Sequence, residues 1–212
     1  MDSIKEDVQK IFKKISKAKS IKDLIDIEES FDAKYKIKVE KNPEISFKII
    51  KSELDSIDSE IIKKGFSFDK IKLKTPLEKL FYAMAWKQGD LPKLKHIVQG
   101  ISDSENDVYD ENRNSGFVFY QFGRYLTKKI GEPIIDQHIL RSFIVYKQIN
   151  KDKEVINNYL KLESISKKHI KWIKEYKKWL VSLNKNFKED NYTYYIDRVL
   201  FALGKSIKKN NE

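Results

Sequence analysis

The sequence predicts an all-α protein, a multi-helix orthogonal bundle of about eight to ten helices with no sheet. Three observations carry that expectation. The 212-residue chain holds only seven glycines and four prolines, so breakers are scarce. No Asn-Gly or Asp-Gly turn sits between alternating apolar residues, which removes the strongest hairpin signal. Apolar residues instead recur at three- and four-residue intervals over long stretches, the period of a helix with one buried face.

Taken in order, Ser3 to about Lys19 places Ile4, Val8, Ile11, Phe12 and Ile15 on one helical face. A second helix is expected from about Ser20, with Leu24, Ile25, Ile27 and Phe31 inward. Pro43 at a first-turn position opens a third, running to about Gly65, and Phe66 to Asp69 read as a link. Thr75-Pro76-Leu77-Glu78 is a helix start of high information content. Thr75 accepts from a free N–H, Pro76 needs no partner, and Glu78 closes a capping box. The helix that follows, through Leu80, Phe81, Ala83, Met84, Ala85 and Trp86, is apolar nearly all round, and is therefore expected to be the central buried helix.

Gly89-Asp90 ends it, and Asp90 caps a short helix to Gly100. Ser102 to Ser115 is acidic and unpatterned, an expected exposed loop; an aromatic helix then spans Gly116 to Ile130. Glu132-Pro133-Ile134-Ile135 is an extended link, and Asp136 stands at the N-cap of a helix carrying Ile139, Leu140, Phe143, Ile144 and Tyr146. Three further helices are expected near 152–162, 165–183 and 192–208. The domain reading is an N-terminal helical region over 1–70 and a helical core over 71–212, or one continuous domain.

Composition bounds the function classes. With no cysteine, disulfides, thiolate zinc sites and cysteine-ligated clusters are excluded. The charged start Met1-Asp2-Ser3-Ile4-Lys5-Glu6 lacks the apolar core of a signal peptide, and no apolar run approaches the roughly 20 residues of a membrane span. A cytoplasmic location and no membrane partner are the corresponding expectations. A formal charge of +11 favours a polyanionic partner, although a lysine-rich composition of this kind also arises as a plain solvated surface.

His96, His138 and His169 are dispersed without metal-ligand spacing, and the acids from Asp103 to Asp110 fail a calcium-loop pattern at Val108 and Asn114. No metal and no cofactor are expected. Between Ser164 and Lys188 lie eight lysines and one acid, and Lys167, Lys171, Lys174 and Lys178 fall at i, i+4, i+7 and i+11. Such a face can track a phosphate backbone, or it can be merely solvated.

Two fragments carry a resemblance. Thr75-Pro76-Leu77-Glu78-Lys79-Leu80-Phe81-Tyr82-Ala83-Met84-Ala85-Trp86-Lys87-Gln88 and Gly131-Glu132-Pro133-Ile134-Ile135-Asp136-Gln137-His138-Ile139-Leu140-Arg141 resemble segments of the helix-hairpin-helix DNA glycosylase superfamily, the endonuclease-III-like fold. The resemblance implies a double-stranded DNA partner and a monofunctional DNA N-glycosylase, a hydrolase of base excision repair. In that reading Asp136 is the carboxylate that stabilises the developing sugar cation and orients water. Gln88 is then a wedge in the gap left by a flipped base, and His138 and Arg141 support the site or contact phosphate.

The departures are specific. The family's Leu-Pro-Gly-Val-Gly hairpin corresponds here to Asn114-Ser115-Gly116-Phe117-Val118, which keeps one glycine for the close approach of a DNA phosphate. Tyr120 stands where bifunctional members carry a Schiff-base lysine, so lyase chemistry by that route is not expected. Each residue also has a plainer reading: Asp136 as a simple N-cap, Gln88 as a solvated helix end, the aromatics as core. The alternative function is a non-enzymatic helical interaction module, of the kind that serves defence or mobile-element systems.

Overall fold

The computed structural model describes residues 2–54 and 75–209. Among them are ten α-helices and no strand, so the all-α, multi-helix expectation holds. The helices are α1 (Asp2–Lys17), α2 (Ile21–Glu29), α3 (Lys51–Leu54), α4 (Pro76–Lys87), α5 (Leu94–Glu105), α6 (Phe117–Leu126), α7 (Gln137–Lys147), α8 (Lys153–Leu160), α9 (Ile170–Leu183) and α10 (Tyr192–Ser206). Short 3₁₀ turns at Ala33–Tyr35, Leu91–Lys93, Lys167–His169 and Asn184–Asn186 connect several of them. No described helix is long and apolar enough to cross a membrane.

The chain divides into two compact units, one made of Met1–Ser46 with Lys128–Glu212, the other of Phe47–Thr127. This differs from the cut at residue 70 read from the sequence. The reason lies in α1, whose apolar face finds its partners more than a hundred residues downstream. Val8, Ile11, Phe12 and Ile15 are buried in a core shared with α7, α9 and α10. The Phe12 ring stacks on Tyr146 at 3.9 Å and meets Trp179 at 5.2 Å. Proximity in sequence says nothing of such pairings, and only the packed core reveals them.

In this first unit α7 is the central helix. Arg141, Ser142, Phe143, Ile144 and Val145 are all buried, so the helix is enclosed on every side. It crosses α10 closely at Gly204, where an added Cβ would stand 2.0 Å from the His138 carbonyl oxygen. Ser142 seals the crossing by donating its hydroxyl to Leu200 O at 2.7 Å. Buried ion pairing adds a further tie, from Arg198 on α10 to Glu28 on α2 at 2.5 Å. Helix α2 opens next to Ser20, near where the sequence places its start, and Ser20 forms a capping box with Asp23.

The second unit contains α3 to α6. Its tightest packing is α5 against α6, where two glycines let the backbones meet. A Cβ on Gly100 would lie 2.0 Å from Tyr120 O, and one on Gly123 would lie 2.0 Å from Ile97 O. Gly100 is thus an interior residue of α5 and not the helix end expected there. The helix continues to Glu105, which turns part of the expected loop into structure and buries Asp103 and Ser104. Ser104 and Thr127 share a hydroxyl–hydroxyl bond of 2.9 Å.

Two further expectations are corrected. Residues 43–50 are not helical, and α3 is a single turn; the remainder of the expected third helix and the link at Phe66 to Asp69 lie outside the described residues. Helix α4 starts as expected, with Thr75 and Glu78 in a reciprocal capping box and Pro76 in the first turn. It is not the central buried helix, because Leu80, Phe81 and Trp86 are each more than 60 % exposed. A helix apolar on all sides needs neighbours on all sides. Among the described residues, no side chain of α4 is buried.

Candidate functional site

In the glycosylase-like reading the chemistry rests on Asp136, and its surroundings decide what it can do. Pro133 to Ile135 bring the chain in extended, and Asp136 keeps that conformation (φ −134°, ψ 176°) before α7 begins. One carboxylate oxygen, Oδ1, accepts from the backbone N–H of His138 at 2.7 Å and of Ile139 at 2.8 Å. Those are two of the donors that every helix start leaves unpaired. Burial pushes the Asp136 carboxyl above its ordinary range, against the opposing pull of the two N–H groups and Arg141. One of the two carboxylate oxygens is thus occupied as a cap on its own helix.

Arg141, one turn along α7, is fully buried. Its Nη1 donates to Gly204 O and to His138 Nδ1, each at 2.7 Å, and its Nη2 donates to Leu162 O. The guanidinium thus ties α7 to α10 and to the end of α8, and it is not available to a phosphate. Since arginine only donates, His138 Nδ1 must accept, which fixes the ring as neutral. Burial, with Arg141 and nearby lysines, lowers the His138 pKa to about 4. Its ring meets Phe201 edge-on at 5.0 Å. Asp136, His138 and Arg141 are therefore brought together, Asp136 as the cap of α7 and Arg141 as the tie from α7 to α10.

The remaining residues implied by the resemblance fall in the second unit. Gln88 is the exposed C-cap of α4, its N–H bonded to Met84 O. Gly116 adopts a left-handed conformation (φ +70°) at the N-cap of α6, and the space a Cβ would need is filled by the His96 ring at 2.3–2.5 Å. Its missing side chain accommodates a histidine, not a phosphate. Tyr120 is buried, so it presents no face for base stacking. Its hydroxyl donates to Asp103 Oδ2 at 2.8 Å and accepts from the Asp110 N–H at 3.1 Å, while Arg113 covers the ring at 4.1 Å. Burial is the main reason its pKa is pushed up to about 12.

Several buried polar groups are not marked in the sequence, Asp103 and Asp197 among them. Asp103 falls in the expected exposed loop, yet it accepts from Tyr120 and from Gln99 Nε2 at 2.5 Å. Asp197 on α10 accepts from Tyr176 Oη at 2.6 Å and from the Ile134 N–H at 2.7 Å, and burial raises its pKa well above the carboxylate range. The available signal was a lone acid inside the apolar run from Ile196 to Leu203. Among the described residues no group of three or more His, Asp or Glu side chains could hold a metal ion.

The lysine row remains at the surface. Helix α9 buries Trp172, Ile173, Tyr176 and Leu180 and leaves Lys171 and Lys178 exposed, with Lys174 half-exposed between them. Lys167 is also exposed, but it belongs to the 3₁₀ turn before α9, so the row is three lysines on a helix and one on the preceding turn. Lys177, on the flank, is held by Glu132 at 2.7 Å. Comparison with family models, with curated proteins and with solved structures found no match to this chain.

Proposed function

We propose that this protein binds nucleic acid, most simply double-stranded DNA, through the outer face of α9, and that Asp136 serves its fold and performs no chemistry. The observation that carries the reading is the row of Lys171, Lys174 and Lys178 on a helix whose opposite face is fixed in the core, continued by Lys167 on the turn before it. Ammonium groups held along a rigid helix meet phosphates without reading bases, and each contact releases condensed counterions. The formal charge of +11 adds long-range attraction of the same sign.

The test is the affinity for a duplex oligonucleotide, measured by fluorescence anisotropy across a salt series. Four phosphate contacts correspond to a slope of about −3.6 in log K against log salt. Replacing all four lysines by alanine is expected to flatten the slope by about that amount and to leave the circular dichroism unchanged. Equal slopes for the two proteins would remove the proposal.

A second reading is favoured by α4, which displays Leu77, Leu80, Phe81, Met84 and Trp86 at the surface. Exposed apolar side chains clustered on one helix mark protein interaction surfaces. On that reading the protein is a non-enzymatic interaction module. Phe81→Glu would then abolish partner capture while the lysine variant retained it.

A further inference from the structure

Beside the lysine row, the first unit has a cavity of about 380 Å³ between α8 and the start of α9. Its walls are apolar and aromatic: Val155 and Tyr159 come from α8, and Leu162 from the chain just after it. The Tyr159 ring is set edge-on to Trp172 at 6.3 Å, which holds it as a fixed wall. Three polar side chains join them: Asn158, Lys168 and Lys171. Asn158 and Lys168 are exposed, and among the described residues neither side chain makes a hydrogen bond or ion pair within the protein. Lys171 lies 4.8 Å from the Trp172 ring centre and belongs also to the row on α9.

The chemistry of this lining selects a ligand class. Two ammonium groups at one side of an apolar slot call for an anion attached to an apolar or flat body. A free amide beside an aromatic wall supplies both a donor and an acceptor to the edge of a heterocycle. The volume lies at the low end of the roughly 300–1,000 Å³ of ligand pockets, enough for one base and part of its sugar and too small for a dinucleotide. His169, also in the lining, is neutral near pH 7: burial lowers its pKa, and Nδ1 accepts from the Ser166 N–H at 3.0 Å. The positive charge of the site therefore comes from the lysines.

We propose that this cavity binds a single nucleotide unit, its base against Tyr159 and Leu162 with the edge on Asn158, and its phosphate on Lys168 and Lys171. The inference deepens the nucleic-acid reading, since Lys171 joins the cavity to the lysine row. A nucleotide unit can come from a free mononucleotide or from an unpaired position in a bound strand, and the two sources share the recognition described.

The experiment uses the full chain and Val155→Trp, which fills the slot from an exposed helical position and leaves every lysine in place. Calorimetric titration with the four ribonucleoside 5′-monophosphates tests the free source. Anisotropy with a single-stranded and a duplex oligonucleotide of equal length tests the strand source. Saturable mononucleotide binding weakened at least tenfold by Val155→Trp supports the site with a free ligand. A single-strand affinity lowered at least tenfold by Val155→Trp, with duplex affinity unchanged, supports it with a strand. If Val155→Trp alters neither, the site is overturned, whereas loss of duplex binding on replacing Lys167, Lys174 and Lys178 tests the α9 reading separately. Asn158→Ala is the second variant, expected to weaken the same binding with the slot still open.

Discussion

Replacing Asp136 in two ways separates a helix cap from a catalytic carboxylate. Asp136→Ala deletes the one oxygen that accepts from both His138 and Ile139, leaving two half-buried N–H groups unpaired. Removing an N-cap costs about 0.5–2 kcal/mol, and two bonds of 2.7 and 2.8 Å to one oxygen place this case near the upper end. At about 2–4 °C per kcal/mol for a chain of this size, the melting temperature is expected to fall by roughly 4–8 °C. Asp136→Asn keeps an acceptor in the same place, and asparagine caps as well as aspartate. Burial also raises the Asp136 pKa, so the ionised form is the one folding disfavours, and the amide relieves that cost. Asn at this position is therefore expected to stay within about 0.5 kcal/mol of wild type at pH 7. Urea unfolding followed by circular dichroism at 222 nm gives the energies, and a panel of duplexes with damaged or mismatched bases gives any abasic-site formation. An Asn variant as unstable as the Ala variant would refute the capping argument. Base release by wild type that disappears in a fully folded Asn variant would restore the carboxylate to catalysis.

Three further outcomes follow from the packing. Gly123→Ala places a methyl group 2.0 Å from the Ile97 carbonyl oxygen, so α5 and α6 must separate; the cost is expected at about 1–3 kcal/mol or above by urea unfolding, and a neutral result would refute the close crossing. Gly204→Ala makes the same demand of α7 and α10 and is expected to be as damaging, since the oxygen opposite, on His138, belongs to backbone that cannot swing aside. Asp197 has a folded pKa raised above its unfolded value, so it holds a proton in the native state that the unfolded chain releases. Its contribution is fully present below the unfolded pKa and is lost as pH rises through the folded pKa. The stability of wild type relative to Asp197→Asn is expected to fall across that window and then level; a flat difference would show that Asp197 is not the group responsible.

How much could be read in advance varies by element. Helices α1 and α2 were legible because each has one apolar stripe and a polar remainder, and that asymmetry encodes both helix and orientation. The capping box at Thr75 was legible because capping is settled within four residues. Helix α7 was harder: Arg141 and Ser142 look like surface residues until Gly204 O, Leu162 O and Leu200 O are seen to accept from them. Helix α4 has the opposite form: uniform apolarity implies centrality only if neighbours enclose the helix, and the helix itself does not specify them.

The helical class, the absence of any cysteine chemistry, the basic balance and the starts of the principal helices can all be read from the residues alone. Each of those is local or compositional, fixed by period, cap and count. The packed fold alone reveals that α1 belongs with the C-terminal helices, that Gly116 makes room for His96, and that Oδ1 of Asp136 caps its own helix. Those outcomes depend on which distant groups share a volume. A side chain's chemistry follows from the partners that meet it there, and they lie tens of residues away in a chain that does not mark them.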